Sequence, residues 1–320
     1  MAPMNEKTAL IFPGMGPSSF SAVGKFMVLD PYVRRLLPLA DEALGYSLLD
    51  RFYESDDEYS EYTQVAFLVN SLALAHRAEE ELGIRPDYCA GPSFGQKAAA
   101  VWTGSLDFPD VVRMTAELAR CEQEYFTAEH TDVVTHTVMR VPDSGLQEYL
   151  SGLSEQGHWY EISGRLDDGF VMVSLSDRLL EDFTSSVSAM GGYSMSTMRP
   201  PVHAKAFHAL RRKAAEEVFP RYGIRAPRIP VIADQDGQVV DTADAMRTML
   251  LDTFDVAIDW PAVVNSLVNL GVRTVYVTGP ENLFRRVQCT VRNFDVVAVD
   301  PKNTLQKMLR PVRAGAPVLS

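Results

Sequence analysis

The short motif Gly91-Pro92-Ser93-Phe94-Gly95 constrains this chain more than any other feature of its sequence. The apolar segment Tyr88-Cys89-Ala90 precedes it, and the alanine-rich segment Gln96–Val101 follows it as a predicted helix. A serine on such a strand-to-helix turn projects its hydroxyl away from the sheet, and the flanking glycines permit close backbone approach. The motif therefore predicts that Ser93 is a nucleophile.

Strand and helix patterns alternate on both sides of this turn. Residues 8–12 predict a buried strand, and residues 62–82 carry apolar side chains at helical spacing. After residue 200 the rhythm returns, with helices predicted near 208–222 and 261–270 and strands near 230–233 and 274–278. Such alternation implies a mainly parallel sheet with the site at the C-terminal ends of its strands. We expect an α/β fold with an α/β-hydrolase-like large subdomain.

The pattern changes between residues 132 and 200, where strand and helix signals fit a β-α-β-β-α-β unit. We predict a small ferredoxin-like α+β subdomain over residues 130–197. It is inserted into a discontinuous large subdomain over residues 1–129 and 198–300, and a basic C-terminal tail follows over residues 301–320. A chain of 320 residues is long enough for two such packing units.

Composition excludes several classes of function. The net charge of −12 argues against nucleic acid as a partner, because phosphate binding requires an excess of Lys and Arg. No uncharged apolar stretch approaches membrane-spanning length, and the N-terminus lacks a signal-peptide pattern. Three scattered cysteines suit neither a disulfide framework nor a metal site. We expect a cytoplasmic protein with no bound cofactor and no metal.

A serine nucleophile needs a base, and the chain has six histidines. His76 lies within a helical apolar pattern, and three others lie in or beside the predicted insert, at His130, His136 and His158. His203 and His208 remain, and spacing alone does not choose between them. No Asp or Glu stands out as a partner that would orient the histidine.

The chain resembles the malonyl-CoA:acyl-carrier-protein transacylases and the acyltransferase domains of polyketide synthases. The likeness extends over roughly residues 8–300. Five landmarks carry it in order: Phe12-Pro13-Gly14-Met15-Gly16, Thr63-Gln64, the Ser93 motif, Phe207-His208, and Trp260 followed by Gly279-Pro280. The family places its histidine in a Phe-His element, and this match favours His208 over His203.

The resemblance implies a role for each matching residue. Ser93 would be the nucleophile and His208 its general base. The backbone N–H groups of Met15 and Phe94 would form the oxyanion hole, and a main-chain carbonyl near Thr253 would orient the histidine. Gln64 and Met15 would line the acyl pocket.

One departure from the family concerns the acyl group. Malonyl-specific members carry an arginine on the helix after the motif, where this chain has Leu118. Arg120 would lie roughly 200° away around the helix. We therefore expect malonyl and methylmalonyl groups to be poor substrates, since their carboxylate would meet an apolar wall. The alternative is that Arg165 of the insert reaches the same space.

Within the family the chain most resembles the discrete acyltransferases of macrolactam polyketide pathways, of the VinK type. This implies transfer of an aminoacyl or dipeptidyl group between acidic acyl carrier proteins, each bearing its substrate on phosphopantetheine. Because this protein is itself acidic, basic side chains at the mouth of the site would have to receive the carriers. Arg140, Arg285 and Arg286 are the candidates, although isolated basic residues are often only solvated surface charges.

Other functions fit the same residues. An editing hydrolase would use the same nucleophile and base but admit water to the acyl-enzyme, and a malonyl-CoA:carrier-protein transacylase would differ only in its acyl group. A non-catalytic scaffold would have no use for the retained Ser93 and His208. The missing Asp and the late insert count against a general α/β esterase.

Overall fold

The computed structural model describes residues 6–199, 201–281 and 283–309. Its strands form two sheets, and helices alternate with the strands along the chain, so the predicted mixed α/β class is confirmed. The strands are β1 (Lys7–Ile11), β2 (Tyr88–Ala90), β3 (Val133–Met139), β4 (Tyr160–Asp167), β5 (Phe170–Ser176), β6 (Tyr193–Met198), β7 (Val231–Ile232), β8 (Val239–Val240), β9 (Ile258–Asp259), β10 (Val272–Thr278) and β11 (Asp295–Val299).

Helices account for most of the remaining described chain. They are α1 (Phe20–Leu29), α2 (Pro31–Leu44), α3 (Leu48–Glu54), α4 (Glu61–Leu82), α5 (Gly95–Trp102), α6 (Phe108–Ala128), α7 (Asp143–Glu155), α8 (Leu180–Ala189), α9 (His208–Glu217), α10 (Ala243–Asp252), α11 (Trp260–Asn269), α12 (Gln288–Asn293) and α13 (Pro301–Leu309). Short 3₁₀ turns cover Asp177–Leu179, Lys205–Phe207 and Phe219–Arg221.

The larger sheet has the order β11-β10-β1-β2-β7-β8. All neighbouring pairs in it are parallel except β7 and β8. The C-terminal ends of β1, β2 and β7 therefore lie together at one edge, as the alternating pattern predicts. The loop after β1 and the turn after β2 both start from this edge.

Helix α4 packs most of its length into the core, because apolar side chains occupy nearly every face of it. Ser60 caps its first turn by accepting a hydrogen bond from the Thr63 N–H, and Gly83 ends it in the left-handed region at φ 68°. The helix begins beside the Ser93 turn, so that Gln64 in its first turn is buried near Ser93.

The second sheet has the order β6-β3-β5-β4-β9. Its elements between residues 133 and 198 follow the predicted β-α-β-β-α-β order. The last strand, β9, comes from the later part of the chain and pairs with β4 in parallel. Leu166 and Phe170 also share a core cluster with Ile11 and Val275 of the larger sheet, so apolar packing joins the two sheets. The subdomain boundaries and the hydrolase-like and ferredoxin-like assignments stay predictions.

Two further expectations concern the chain ends and the membrane. Helix α13 forms the first part of the predicted basic tail, and residues 310–320 lie outside the described residues. Within the described ranges, no helix is long and apolar enough to cross a membrane. In the same ranges, no group of three or more His, Cys, Asp or Glu residues is placed to hold a metal ion.

Candidate active site

Ser93 lies between the end of β2 and the start of α5, with its backbone at φ 53°, in the left-handed region. Hydrogen bonds from Gly95 N to the Pro92 carbonyl and from Gln96 N to the Ser93 carbonyl close the turn, at 3.0 and 3.1 Å. Close contacts with backbone atoms require glycine at both Gly91 and Gly95. A Cβ on Gly95 would lie 2.1 Å from the Phe12 carbonyl oxygen, and one on Gly91 would lie 2.3 Å from the Gly95 carbonyl oxygen. The predicted strained turn is present.

A buried carboxylate holds this strained turn in place. Asp234 follows β7 and is 1% exposed. Its Oδ2 accepts the Ser93 N–H at 2.6 Å, and its Oδ1 accepts the Gln96 side-chain amide at 2.5 Å. Burial raises the pKa of Asp234 to about 7, although both hydrogen bonds act to lower it. The sequence analysis missed this residue, whose only signal is its place directly after a predicted strand.

His203 is the histidine that contacts Ser93. Its Nε2 lies 2.8 Å from Ser93 Oγ, and its Nδ1 lies 3.3 Å from the Val256 carbonyl oxygen. Burial lowers the pKa of His203 to about 4, so the ring is neutral at pH 7. A carbonyl can only accept, so the proton lies on Nδ1 and leaves Nε2 to accept the Ser93 hydroxyl proton.

The prediction that His208 faces Ser93 is wrong. His208 is the first residue of α9, its side chain is 59% exposed, and its Nδ1 lies 2.7 Å from Asp255 Oδ2. The preceding Phe207 is fully buried against Phe126, and this anchor turns the next side chain outward. The Phe-His match therefore selected a residue five positions too late.

The predicted orienting carbonyl is also misplaced. Val256, not Thr253, presents its carbonyl oxygen to the histidine. Thr253 instead lines the cavity next to Ser93. The error is three residues along one irregular segment between α10 and β9, where the sequence has no regular pattern to fix the register.

The loop after β1 packs against the turn at Ser93. A Cβ on Gly14 would lie 3.2 Å from the Pro92 carbonyl oxygen and 3.6 Å from Ser93 Cβ. Met15 and Phe94 both border the space around Ser93. Among the described residues, neither of their backbone N–H groups donates a hydrogen bond within the chain. Their predicted role as the oxyanion hole stays a prediction.

Two cavities meet at Ser93. The inner cavity, of about 70 Å³, extends from Ser93 toward α4 and α6. It is lined by Met15, Tyr59, Gln64, Ser93, Phe94, Gln96, Lys97, Met114, Leu118, Glu122, Met198, Val202, Phe219, Leu250 and Thr253. The three residues predicted for the acyl pocket, Leu118, Gln64 and Met15, all lie in this lining.

The outer cavity, of about 310 Å³, lies between the two sheets and also reaches Ser93. It is lined by Gly14, Met15, Gly16, Pro17, Tyr59, Ser93, Thr137, Leu166, Met172, Met195, Ser196, Met198, Ile258, Glu281, Leu283 and Phe284. Four of these are methionines, whose unbranched side chains adapt to irregular ligands.

The described lining of the inner cavity contains no arginine. Leu118 is 2% exposed and packs in the core. Arg120 forms an ion pair with Glu61 on the outside of α6, and Arg165 is exposed on β4. The expectation that Arg120 points away from Leu118 therefore agrees with the structure, and the alternative with Arg165 gains no support.

The inner cavity does contain two buried charged residues that the sequence analysis missed. Lys97 and Glu122 are 8% and 9% exposed. The signal for Glu122 was helical spacing, because it follows Leu118 by four residues on α6 and shares a helix face with it. Ser93 precedes α5 and has φ 53°, so helical spacing from Ser93 does not identify Lys97.

The three predicted carrier-binding arginines have different surroundings. Arg140 is exposed and its guanidinium lies 5.4 Å from the centre of the Tyr193 ring. Arg285 pairs with Asp300 at 3.4 Å and is largely covered, whereas Arg286 is exposed. Tyr193 and Arg286 each lie two residues from a lining residue of the outer cavity, Met195 and Phe284. The proposed contacts with a carrier stay a prediction.

Comparisons with known proteins agree with the family resemblance that the five sequence landmarks indicated. Residues 137–198 match the family model described as the VinK acyltransferase small domain. The chain is 25% identical over 317 residues to the malonyl CoA-acyl carrier protein transacylase of Bacillus subtilis, an alignment that covers 96% of this chain and 98% of the relative. The family resemblance predicted from the sequence is confirmed. A second relative is the polyketide biosynthesis malonyl CoA-acyl carrier protein transacylase BaeC of Bacillus velezensis, 25% identical, with 88% of this chain and 96% of BaeC covered.

Solved structures show the same fold. A malonyl-transacylase, determined in complex with a type II polyketide synthase acyl-carrier protein, matches with a TM-score of 0.81 at 21% identity. The match covers 95% of this chain and 99% of that chain. The mixed α/β arrangement with two sheets is therefore shared with transacylases of this type.

Proposed function

We propose that this protein is an acyltransferase that moves an acyl group between acyl carrier proteins in polyketide biosynthesis, through an ester on Ser93. The observation that carries the proposal is the contact between Ser93 Oγ and His203 Nε2 at 2.8 Å, at the junction of two cavities. One cavity would hold the acyl group and the other the arm that delivers it. The relatives' names, which specify transfer to an acyl carrier protein, support the same activity.

In the first half-reaction, Ser93 Oγ attacks the thioester carbonyl carbon while His203 Nε2 takes the hydroxyl proton. The Met15 and Phe94 N–H groups receive the negative charge on the carbonyl oxygen. When the carbon–sulfur bond breaks, His203 returns the proton to the departing sulfur. The products are an ester on Ser93 and the free thiol of the donor.

In the second half-reaction an acceptor thiol occupies the place of the first. His203 takes the thiol proton, the sulfur attacks the Ser93 ester, and the same proton returns to Oγ. The Val256 carbonyl orients the ring and stabilises the imidazolium that forms in each half-reaction. This is a ping-pong sequence that requires no metal ligand and no carboxylate partner for the histidine.

The outer cavity suits a phosphopantetheine arm. It is open to solvent, runs between the two sheets, and is lined by methionine side chains as far as Ser93. Arg140 and Arg286 are exposed and would contact an acidic carrier, whereas Arg285 is already paired with Asp300. A local basic surface is needed because the protein's own net charge of −12 repels an acidic partner.

The acyl group, on this proposal, is not malonyl and is an aminoacyl or dipeptidyl group of the kind used in macrolactam antibiotic pathways. Leu118 and the absence of arginine from the described lining of the inner cavity support this choice. The match of residues 137–198 to the VinK small domain supports it as well.

Malonyl transfer is the second candidate, and two observations favour it. The relatives described above are named malonyl transacylases, and Lys97 supplies one cation inside the inner cavity. A lysine pairs with a carboxylate through a single point charge rather than through a bidentate guanidinium, so it would be a weaker substitute for arginine.

The direct test is intact-mass analysis of the protein and a holo carrier protein after incubation with acyl-N-acetylcysteamine thioesters. We expect wild-type protein to gain one acyl group and pass it to the carrier, and Ser93→Ala to gain none. His208→Ala is the matched control for His203→Ala and retains transfer. Free acid without loaded carrier would indicate a hydrolase instead, and labelling of Ser93→Ala would contradict the proposal.

A further inference from the structure

Two buried side chains of opposite charge line the inner cavity beside Ser93. Lys97 on α5 and Glu122 on α6 both line it, and both are more than nine-tenths buried. Gln64 lies with them, its Oε1 3.4 Å from Lys97 Nζ. Apolar side chains make up most of the remaining wall, among them Met114, Leu118 and Leu250.

Burying two charged side chains in a mostly apolar wall costs free energy. Burial lowers the pKa of Lys97 and raises that of Glu122, and in each case the opposite charge of the partner works against burial. Apolar residues of similar volume often stabilise a protein as well as a buried pair does, or better. Packing alone therefore does not explain why both charges lie at the cavity.

Hydrogen bonding in the pair is unequal. The Lys97 ammonium has the Gln64 oxygen, the Glu122 charge and the face of the Phe94 ring, whose centre lies 4.5 Å from Nζ. The Gln64 side-chain amide donates to the Tyr59 carbonyl at 3.1 Å, and among the described residues no donor lies within hydrogen-bond distance of the Glu122 carboxyl oxygens. A carboxyl group can accept several hydrogen bonds, so Glu122 has accepting capacity that a group in the cavity could use, while Lys97 already has one hydrogen-bond partner.

We propose that Glu122, with Lys97 beside it, selects acyl groups that carry an N–H donor, as an amine or an amide, and disfavours acyl groups that end in a carboxylate. This inference rests on the proposed acyl transfer through Ser93 and assigns its specificity to two residues. An N–H of the acyl group would meet the free oxygen positions of Glu122. A malonyl carboxylate would add a second negative charge to the same buried space.

The competing assignment gives the pair the opposite preference. Lys97 would then bind a malonyl carboxylate, and Glu122 would only weaken that interaction. The two assignments differ for N–H donors: loss of the Glu122 carboxyl slows them on the first assignment and leaves them unchanged on the second, so variants decide between the two.

The experiment measures the rate of Ser93 acylation by intact mass with four N-acetylcysteamine thioesters: β-alanyl, N-acetyl-β-alanyl, malonyl and propionyl. The first carries an ammonium, the second an amide N–H, the third a carboxylate and the fourth no polar end. Wild-type protein is expected to prefer one or both N–H donors over malonyl by about 10- to 100-fold, the range for hydrogen bonds to a charged group. The two N–H arms distinguish an amine from an amide substrate.

Glu122→Gln is expected to slow the preferred N–H donor by about 10- to 100-fold and to leave propionyl within about 3-fold of wild type. Glu124→Gln, the same change on the exposed face of the same helix, is the control and retains the wild-type order. Equal ratios in Glu122→Gln and wild type would overturn the proposal. So would a wild-type preference for malonyl over both N–H donors.

Removing one charge of a buried pair can destabilise the fold, so the double variant Lys97→Met/Glu122→Met is included. It removes both charges together, and it is expected to fold and to accept propionyl while losing the preference for N–H donors. Retention of that preference in the double variant would also contradict the assignment. Propionyl separates the two levels of the proposal, because failure of every thioester to label wild-type Ser93 would refute the acyltransferase itself.

Discussion

His203 and His208 lie five residues apart in the chain and have opposite surroundings. His203 is 1% exposed, with one ring nitrogen on Ser93 Oγ and the other on a main-chain carbonyl. The His208 side chain is 59% exposed and pairs with the carboxylate of Asp255. A histidine–carboxylate pair is the arrangement most often associated with catalysis, yet here it is the one away from the nucleophile. Burial and access to Ser93 distinguish the two residues, and the partner type does not.

The largest expected difference between the two histidines is in rate. We expect His203→Ala to slow transfer between carrier proteins by about 100- to 10,000-fold, because it removes the general base. The measurement is the steady-state rate of carrier acylation at a saturating donor concentration. A loss of less than about 10-fold would mean that another group takes the Ser93 proton.

A second prediction concerns Asp234, the buried carboxyl group that accepts the Ser93 N–H. Asp234→Ala would leave the Ser93 N–H and the Gln96 amide without their acceptor, and we expect a loss of about 1–3 kcal/mol in the free energy of unfolding. Urea denaturation followed by circular dichroism measures it. Asp234→Asn keeps an oxygen for the Ser93 N–H and should lose less. Equal losses in both variants would show that the charge, and not the hydrogen bond, supports the turn.

The pH dependence of stability provides a third test. The folded-state pKa of His203 is about 4, below its ordinary value of 6.5, so the unfolded chain binds more protons between these values. The contribution of His203 to stability is therefore fully present above pH 6.5 and is lost as the pH falls toward 4. His203→Gln should flatten this part of the curve of unfolding free energy against pH. An unchanged curve would contradict a buried neutral ring.

The pKa shift of Asp234 changes stability with pH in the opposite direction. Its folded-state pKa, about 7, lies above the ordinary value of 3.8, so the folded protein retains a proton that the unfolded chain releases. Its contribution to stability is present below pH 3.8 and is lost as the pH rises through 7. Comparison of Asp234→Asn with wild type over pH 4–7 isolates this contribution, and parallel curves would rule it out.

The smallest expected effect is that of His208→Ala. The pair with Asp255 lies at an exposed side chain, where such pairs contribute about 0–1 kcal/mol. We expect the free energy of unfolding to change by no more than this and the rate of transfer to stay within about 2-fold of wild type. The rate is measured as for His203→Ala and the free energy of unfolding as for Asp234→Ala, and a rate loss above 10-fold would return His208 to the site.

The sequence was informative where structure is local. The Ser93 turn depends on a few neighbouring residues and on two glycines, and all of them can be read from the motif. The alternation of strands and helices likewise predicted the mixed α/β class and the element order of the insert. Residues of the acyl pocket such as Leu118 followed from helical spacing and the resemblance.

Other features depend on the path of irregular segments. The segment from residue 199 to 207 decides which histidine reaches Ser93, and it contains two prolines, a residue at positive φ and one short 3₁₀ turn. Burial of Phe207 fixes the direction of this segment, and Phe207 is buried by contacts with α6, which is distant in the sequence. Asp234, Val256 and β9 also reach their places through long-range packing, so the position of Asp234 after a predicted strand does not by itself bring it to Ser93.

The measurement that tests the central claim most directly is localisation of the acyl group by tandem mass spectrometry of the peptide that contains Ser93. That peptide also contains the buried Cys89, so the fragment ions must separate the two positions. We predict one acyl ester on Ser93 in wild-type protein and in His208→Ala, and at most a trace in His203→Ala after the same short incubation. Acylation of Cys89, or equal labelling of Ser93 in His203→Ala and wild type, would contradict the assignment of Ser93 and His203.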